Sequence, residues 1–355
     1  MMAIISSVKS FSLKLSRRPR NSTRQDPTNG LSPLKPVVLP RVNPDHQAAL
    51  SEQGWTAVGL DKKPTDALHS SYQELFRASQ DFFDLPDEYK QTFKTQHGSE
   101  EGWSRVEGEK EFITLRTIQN TPDVLKEAVS KYWEEAGALL NETLGRVAES
   151  LDLPAEALTV YSEPCAKLGE QETATMLRLF RYEGFEGMQS KVVAEPHADL
   201  GLLSFVIGDK PGLEVMDKRV NFWFPIEQSY ESPKGSLLVG RQLERLSNAR
   251  YCAGGHRVKS YPNSIPNSKA SSDPGNNWRH SIVFVMRAHL PVPINTDDLT
   301  TEITGPFLKP LKGVTAQEFF DEIHSAHFNI NTGLEEREHQ RMRLAEQEKY
   351  SATGK

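Results

Sequence analysis

His197-Ala198-Asp199, then His256, then Arg279-His280-Ser281, supply three metal-ligand side chains and a carboxylate clamp in one order along the chain. Two imidazoles and one carboxylate on one face of an Fe(II) ion leave three coordination positions open for a co-substrate and dioxygen. The chemistry implied is iron-dependent oxygen activation. His-x-Asp is a short motif and the chain has ten histidines, so the neighbouring sequence has to carry the reading. Asp199 follows His197 by two residues, which on an extended strand points both side chains to one face. The flanking segment, 195–207, runs from Glu195-Pro196 into an apolar stretch ending Phe205-Val206-Ile207. It is expected to be a strand entering a core, with both ligands on it.

His256 sits in Gly254-Gly255-His256, after a turn at Ser247-Asn248-Ala249-Arg250-Tyr251. Glycines there would let the backbone approach a metal or substrate closely. Cys252, four residues earlier, is the soft-ligand alternative, but Asp199 already supplies the third ligand of an oxygen-activating site. Arg279 and Ser281 open the apolar run Ile282-Val283-Phe284-Val285-Met286 and share a face by the strand period of two. A planar guanidinium fork matches a carboxylate bidentately, and the hydroxyl adds a third hydrogen bond. Together they read as a carboxylate receptor, with an exposed strand-edge arginine as the alternative.

Other segments fall in order around these residues. Leu177-Arg178-Leu179-Phe180-Arg181-Tyr182 precedes His197, and Gly212-Leu213-Glu214-Val215, Trp223 and Gly240-Arg241 lead to His256-Arg257-Val258. Upstream stand Gly54-Trp55-Thr56-Ala57-Val58 and Phe82-Phe83-Asp84-Leu85-Pro86. The ordered set, spanning residues 36–330, resembles the Fe(II)/2-oxoglutarate-dependent dioxygenases, in particular the group similar to isopenicillin N synthase and flavonoid oxygenases. The resemblance implies that His197, Asp199 and His256 bind Fe(II). It also implies that Arg279 and Ser281 hold the far carboxylate of 2-oxoglutarate, with Tyr182 helping and O2 as the other co-substrate. The activity implied is hydroxylation, desaturation or cyclisation of a small organic metabolite, with release of succinate and CO2. An isopenicillin N synthase-like iron oxidase that does not use 2-oxoglutarate, and a non-catalytic small-molecule-binding barrel, are the alternatives. By analogy the pocket wall includes Trp103-Ser104-Arg105 and Glu109-Lys110-Glu111-Phe112, where Lys110 or Arg105 would contact an anionic substrate. The sequence departs from the family's pattern at Arg241, where an acidic residue is usual, at Asn248-Ala249 for Asn-Gly, and in the long polar connection 261–277.

The elements that must position this site divide the chain. Leu68, Tyr72, Leu75, Phe76 and Phe83 follow helical spacing until Pro86 interrupts. Thr121-Pro122 reads as the cap and first residue of a longer helix with Leu125, Ala128, Tyr132, Ala136, Leu140, Leu144 and Val147 on one face. From Met176 onward short strands predominate, including 212–216, 221–224, 236–239 and 281–286. The expected fold is mainly β with flanking helices (α+β), a double-stranded β-helix or jelly-roll barrel with the metal at its mouth. Residues 36–160 form its N-terminal helical and mixed region, 170–330 the catalytic core, and 331–355 a charged C-terminal helix that reads as solvated. Thr315-Ala316-Gln317-Glu318 is a capping box, and Thr332-Gly333-Leu334-Glu335 repeats the device.

The bulk properties exclude other classes. A net charge of −6 over 355 residues gives no basic field for nucleic acid. Two cysteines, Cys165 and Cys252, make neither a disulfide framework nor a zinc cluster, which fits a reducing compartment. Residues 1–30 are basic, with no acidic residue before Asp26, and read as a disordered tail or an organelle transit peptide. The expected location is therefore cytoplasmic, or mitochondrial or plastid if that segment directs import. No apolar run reaches the ~20 residues that span a bilayer. A small-molecule substrate, no nucleic acid or membrane partner, and a monomer or weak homodimer are expected.

Overall fold

The computed structural model describes residues 36–343, apart from 44–48, 61–65, 163–165, 185–189, 262–277, 290, 326–327 and 334. The basic N-terminal segment, Cys165, most of the long polar connection and residues 344–355, expected as the end of a charged helix, lie outside the described residues. All that is described belongs to one compact unit, 34–355.

Its first half alternates helices with short strands: α1 (Leu50–Gln53), β1 (Trp55–Gly59), α2 (Ala67–Asp84), α3 (Asp87–Gln91), β2 (Gly102–Val106), β3 (Lys110–Leu115), α4 (Asp123–Ser150) and α5 (Glu156–Ser162). Strands then dominate: β4 (Met176–Tyr182), β5 (Lys191–His197), β6 (Leu203–Gly208), β7 (Leu213–Asp217), β8 (Phe222–Phe224) and β9 (Lys234–Val239). After α6 (Arg241–Leu246) come β10 (His256–Ser260), β11 (Arg279–Met286), β12 (Pro293–Asn295), β13 (Lys312–Thr315) and α7 (Ala316–Ser325). A seven-stranded sheet runs in the order β1-β9-β6-β11-β4-β3-β2, and a four-stranded sheet in the order β5-β10-β7-β8. Every pairing within these two sheets is antiparallel. Among the described residues the two are hydrogen-bonded as separate open sheets, not as one closed barrel.

Strand alternation separates two cores. Leu177, Leu179, Ile282 and Phe284 leave the outer face of the larger sheet and pack on α2 and α4, where Trp133 meets Phe284 edge-on at 5.0 Å. Phe112, Phe180 and Val206 leave its inner face and meet Val193, Leu213, Val215 and Val258 of the smaller sheet. Each such side chain contributes roughly 1.5–3 kcal/mol on burial.

Several expectations shift by local chemistry. Asp66 caps α2 by accepting from the Leu68 amide at 3.0 Å, but α4 begins one residue late, at Asp123, and Thr121 donates instead to the Thr117 carbonyl. The capping box at Thr315 forms reciprocally: the Thr315 amide donates to Glu318 at 2.7 Å and the Glu318 amide to Thr315 Oγ1 at 3.2 Å. Helical residues 335–343 are not simply solvated. Arg337 is 1% exposed and pairs with buried Glu109 at 2.7 Å. Among the described residues no helix is long and apolar enough to cross a membrane.

Lys110 does not contact the cavity. It is fully buried, and its Nζ donates to the carbonyls of Ile330 (3.1 Å) and Val193 (3.4 Å). Burial pulls its ammonium down to about 7, against the attraction of Glu109. Between pH 7 and the ordinary value of 10.5 the unfolded chain then binds the extra proton, so stability rises with pH across that window. We expect the unfolding free energy to increase from pH 7 to pH 9 by at most about 1.4 kcal/mol per unit. Lys110→Met should flatten that rise in denaturant titrations; an identical slope in the variant would remove Lys110 as its source.

Candidate metal centre

His197 closes β5 and His256 opens β10, directly opposite each other in the antiparallel register. Their ring centroids are 4.2 Å apart. Each histidine Nδ1 faces a main-chain carbonyl two residues earlier, Glu195 for His197 at 2.7 Å and Gly254 for His256 at 3.0 Å. A carbonyl only accepts, so Nδ1 carries the proton and Nε2 keeps its lone pair for a metal.

Asp199 reaches the same point by a route other than the expected strand. There β5 ends at His197, and residues 198–202 turn from the smaller sheet into β6 of the larger one. The segment expected as one strand is thus two strands of different sheets. The turn is pinned where the Arg241 amide at the start of α6 donates to the Asp199 carbonyl at 2.8 Å. Its carboxylate oxygens lie 3.8 Å from His197 Nε2 and 3.9 Å from His256 Nε2. The three ligand atoms fall within 4.8 Å of one another, the only such group among the described residues, and Cys252 is not part of it. Two neutral nitrogens and one carboxylate fit a divalent iron ion. Of the two glycines before His256, Gly254 serves the fold: a Cβ there would lie 2.2 Å from the Gly54 carbonyl oxygen, so the close approach is backbone to backbone.

Arg279 and Ser281 point into the same cavity from β11, as strand alternation predicts. Arg279 pairs across the sheet with Tyr182, its guanidinium carbon 5.4 Å from the ring centre. Burial pushes the Tyr182 phenol up to about 12, against Arg279 and a hydrogen bond with Ser281, so it stays protonated. One side of the Arg279 fork is already engaged. Nη2 donates to both oxygens of Glu227 at 3.0 and 2.9 Å, and Nε to the Lys210 carbonyl at 2.8 Å. Glu227 also accepts from the amides of Gly212 and Leu213, each at 2.7 Å. Burial works against the Arg279 charge, and Glu227 with Tyr182 and Asp209 outweighs it, holding its pKa above the ordinary arginine value. Nη1 remains buried with no hydrogen-bond partner among the described residues. A buried donor of this kind calls for an acceptor.

Glycine makes room for this pair. A Cβ at Gly212 would lie 2.4 Å from Arg279 Nε, and one at Gly208 2.5 Å from a Glu227 oxygen. Gly212→Ala is therefore expected to displace the guanidinium and weaken binding of a dicarboxylate there by on the order of tenfold. Metal binding should be spared, because Gly212 accepts from the Lys259 amide and His256 stands at the opposite end of β10. Titrating 2-oxoglutarate into the Fe(II)-loaded variant measures this, and unchanged affinity would refute the steric argument.

The cavity these groups share has a volume of about 450 Å3. Of the wall expected from the N-terminal region, Ser104 and Phe112 line it. Trp103, Arg105 and Glu111 do not, because they leave the opposite face of the sheet into an ion network. There Glu111 accepts from Lys90, Trp103 and Arg181, and Arg105 pairs with Asp87 at 2.7 Å. Sequence reasoning misses Glu227, Glu100, Arg178 and Arg287, which all take part in the site's surroundings.

No protein-family profile matches the chain. It is 23% identical over 282 residues to the 2-oxoglutarate-dependent dioxygenase ecdK of Aspergillus rugulosus, covering 66% of this chain and 80% of that protein. Over 254 residues it is 23% identical to flavanone 3-dioxygenase 3 of Oryza sativa subsp. japonica, covering 66% and 73%. Among solved structures, a full-length Neurospora crassa protein in complex with alpha-KG and thymine has a TM-score of 0.60 at 16% identity, over 79% of this chain and 89% of that one. JOX2 in complex with 2OG, Fe and JA has a TM-score of 0.58 at 18% identity, over 80% of each chain. These likenesses show a common fold, two antiparallel sheets with flanking helices.

Proposed function

We propose that this chain is an Fe(II)- and 2-oxoglutarate-dependent oxygenase that hydroxylates, desaturates or cyclises a small organic molecule. The observation that carries this is a buried, partnerless arginine Nη1 in the same cavity as three converging metal-ligand side chains. The relatives named above support it, as does their co-substrate.

In this reading His197, Asp199 and His256 hold iron, and the two facing sheets are the halves of a double-stranded β-helix. Residues 36–160 brace it and residues 170–330 carry the site. Arg279 Nη1 receives the far carboxylate of 2-oxoglutarate, while Glu227 fixes the other side of the fork so that only one geometry is offered. Tyr182 stays a phenol and Ser281 a hydroxyl; the two are hydrogen-bonded to one another, so the pair offers the same carboxylate one free O–H. The Nδ1 contacts of both histidines lock the rings in the tautomer that presents Nε2. Asn329, Ile330 and Asn331 line one wall, with the Ile330 carbonyl held by Lys110. Bound iron, 2-oxoglutarate and O2 together supply the oxidising power, with succinate and CO2 as co-products.

Anaerobic addition of Fe(II) and 2-oxoglutarate should produce a visible absorption band that neither gives alone. No band would overturn the proposal. Oxygen uptake that ignores 2-oxoglutarate would mark the oxidase class instead.

A further inference from the structure

The inner face of β4 presents Met176, Arg178, Phe180 and Tyr182 in turn to the cavity. Tyr182 stands beside Arg279 at one end of this row, and Arg178 is four residues back, about 13 Å along the strand. Arg178 is largely buried, and burial lowers its pKa against the pull of Glu100 and Asp199. Its Nε donates to Thr114 Oγ1 at 2.7 Å and its Nη2 to Met176 Sδ at 3.5 Å. Nη1 has no hydrogen bond, and no carboxylate lies within 4.0 Å of the guanidinium, among the described residues. Its carbon lies 5.4 Å from the Phe112 ring centre and 5.9 Å from that of Phe180, so two aromatic rings fix its direction.

The neighbouring charges do not neutralise it. Glu100 is engaged by both nitrogens of Arg287, and Arg116 stands 3.9 Å from it. Three arginines hold the Glu100 carboxyl down to about 2 despite its burial, so it stays ionised. The cavity is lined by the guanidinium groups of Arg178, Arg279 and Arg287 and by two carboxylates, of which Glu100 is taken by Arg287 and Asp199 belongs to the metal-ligand group, while Arg279 is paired with Glu227. A confined cation without a counter-ion is unfavourable unless an anion joins it. The strands add apolar side chains to this wall, Met176, Val206, Val283 and Val285 with Leu200 beside them, while Thr95, Ser99 and Ser104 line the cavity from the N-terminal region.

We propose that Arg178 is the substrate's anion receptor, and that the substrate is a small, largely apolar molecule bearing one carboxylate. Its acid group docks on Arg178 and its apolar body lies along β11 towards the His197–Asp199–His256 group. The proposal rests on the oxygenase reading given above.

The test uses the full chain loaded anaerobically with Fe(II) and 2-oxoglutarate. A panel of alkyl and aryl monocarboxylates, each paired with its methyl ester, is screened by perturbation of the absorption band and by saturation-transfer NMR. Acids should outbind their esters by on the order of tenfold to a hundredfold. Arg178→Gln should erase that ratio, and Arg178→Lys, which keeps the charge without the fork, should retain part of it. Thermal melts check that both variants fold. Equal binding of acids and esters, no acid bound by the wild-type chain, or an undiminished ratio in Arg178→Gln would overturn the proposal. So would a loss of 2-oxoglutarate affinity in Arg178→Gln as large as in Arg279→Gln, since Arg178 would then hold the co-substrate. If the wild-type band is missing before any probe is added, it is the oxygenase reading that fails.

Discussion

Asp199→Ala is expected to abolish the iron-dependent absorption band and all succinate formation while leaving the fold intact. The carboxylate is the one anionic ligand among three, and the histidine rings cannot replace it because their Nδ1 atoms are committed to main-chain carbonyls. Loss of a mere outer partner weakens metal binding about 10- to 100-fold, so loss of a ligand should exceed that. Stability should not fall. The main-chain bond from Arg241 to the Asp199 carbonyl, which pins the turn, does not involve the side chain. Anaerobic Fe(II) titration beside a thermal melt reads both quantities, and normal turnover in the variant would sink the ligand assignment. His197→Ala should behave alike.

Glu227→Ala is expected to be the most destabilising change in the co-substrate half of the site. The carboxylate neutralises buried Arg279 and accepts from two amides, so its removal leaves a charge and two donors without partners. Breaking a buried pair from one side costs about 3–5 kcal/mol. Affinity for 2-oxoglutarate should drop as the guanidinium loses its anchor. Added 2-oxoglutarate should recover part of the stability, because its carboxylate supplies the missing counter-charge. Equal denaturation midpoints for variant and wild type would show that Glu227 is not holding Arg279.

The contrast between these two residues shows what a sequence can convey. Arg279 and Ser281 are readable because an apolar strand has period two and faces can be counted. Strand placement for β4, β7, β9 and β11, the helix face of α2 and the capping box at Thr315 follow from equally local rules. Spacing identifies Asp199 as a ligand, yet its position in a sheet-crossing turn depends on the start of α6, about forty residues on. Glu227 lies on a 3-10 turn, Ile226–Ser229, and meets Arg279 only through tertiary packing. The segment they occupy assigns Arg105 and Lys110 to the pocket. Strand alternation sends one to the outer ion network, and the carbonyls of Val193 and Ile330 draw the other away from the cavity. Arg178 stands in the sequence only as part of a pattern, since nothing there marks a guanidinium that lacks a counter-ion.

The turn at residues 198–202 carries one more implication. The histidines belong to one hydrogen-bonded sheet and Arg279 to the other, so a dicarboxylate spanning iron and Arg279 would rivet two plates that otherwise meet through side-chain packing. Grip on the co-substrate and cohesion of the two plates then become one thermodynamic quantity, and each must strengthen the other equally. A substitution in the apolar layer between the plates, far from any ligand, would register as weaker 2-oxoglutarate binding.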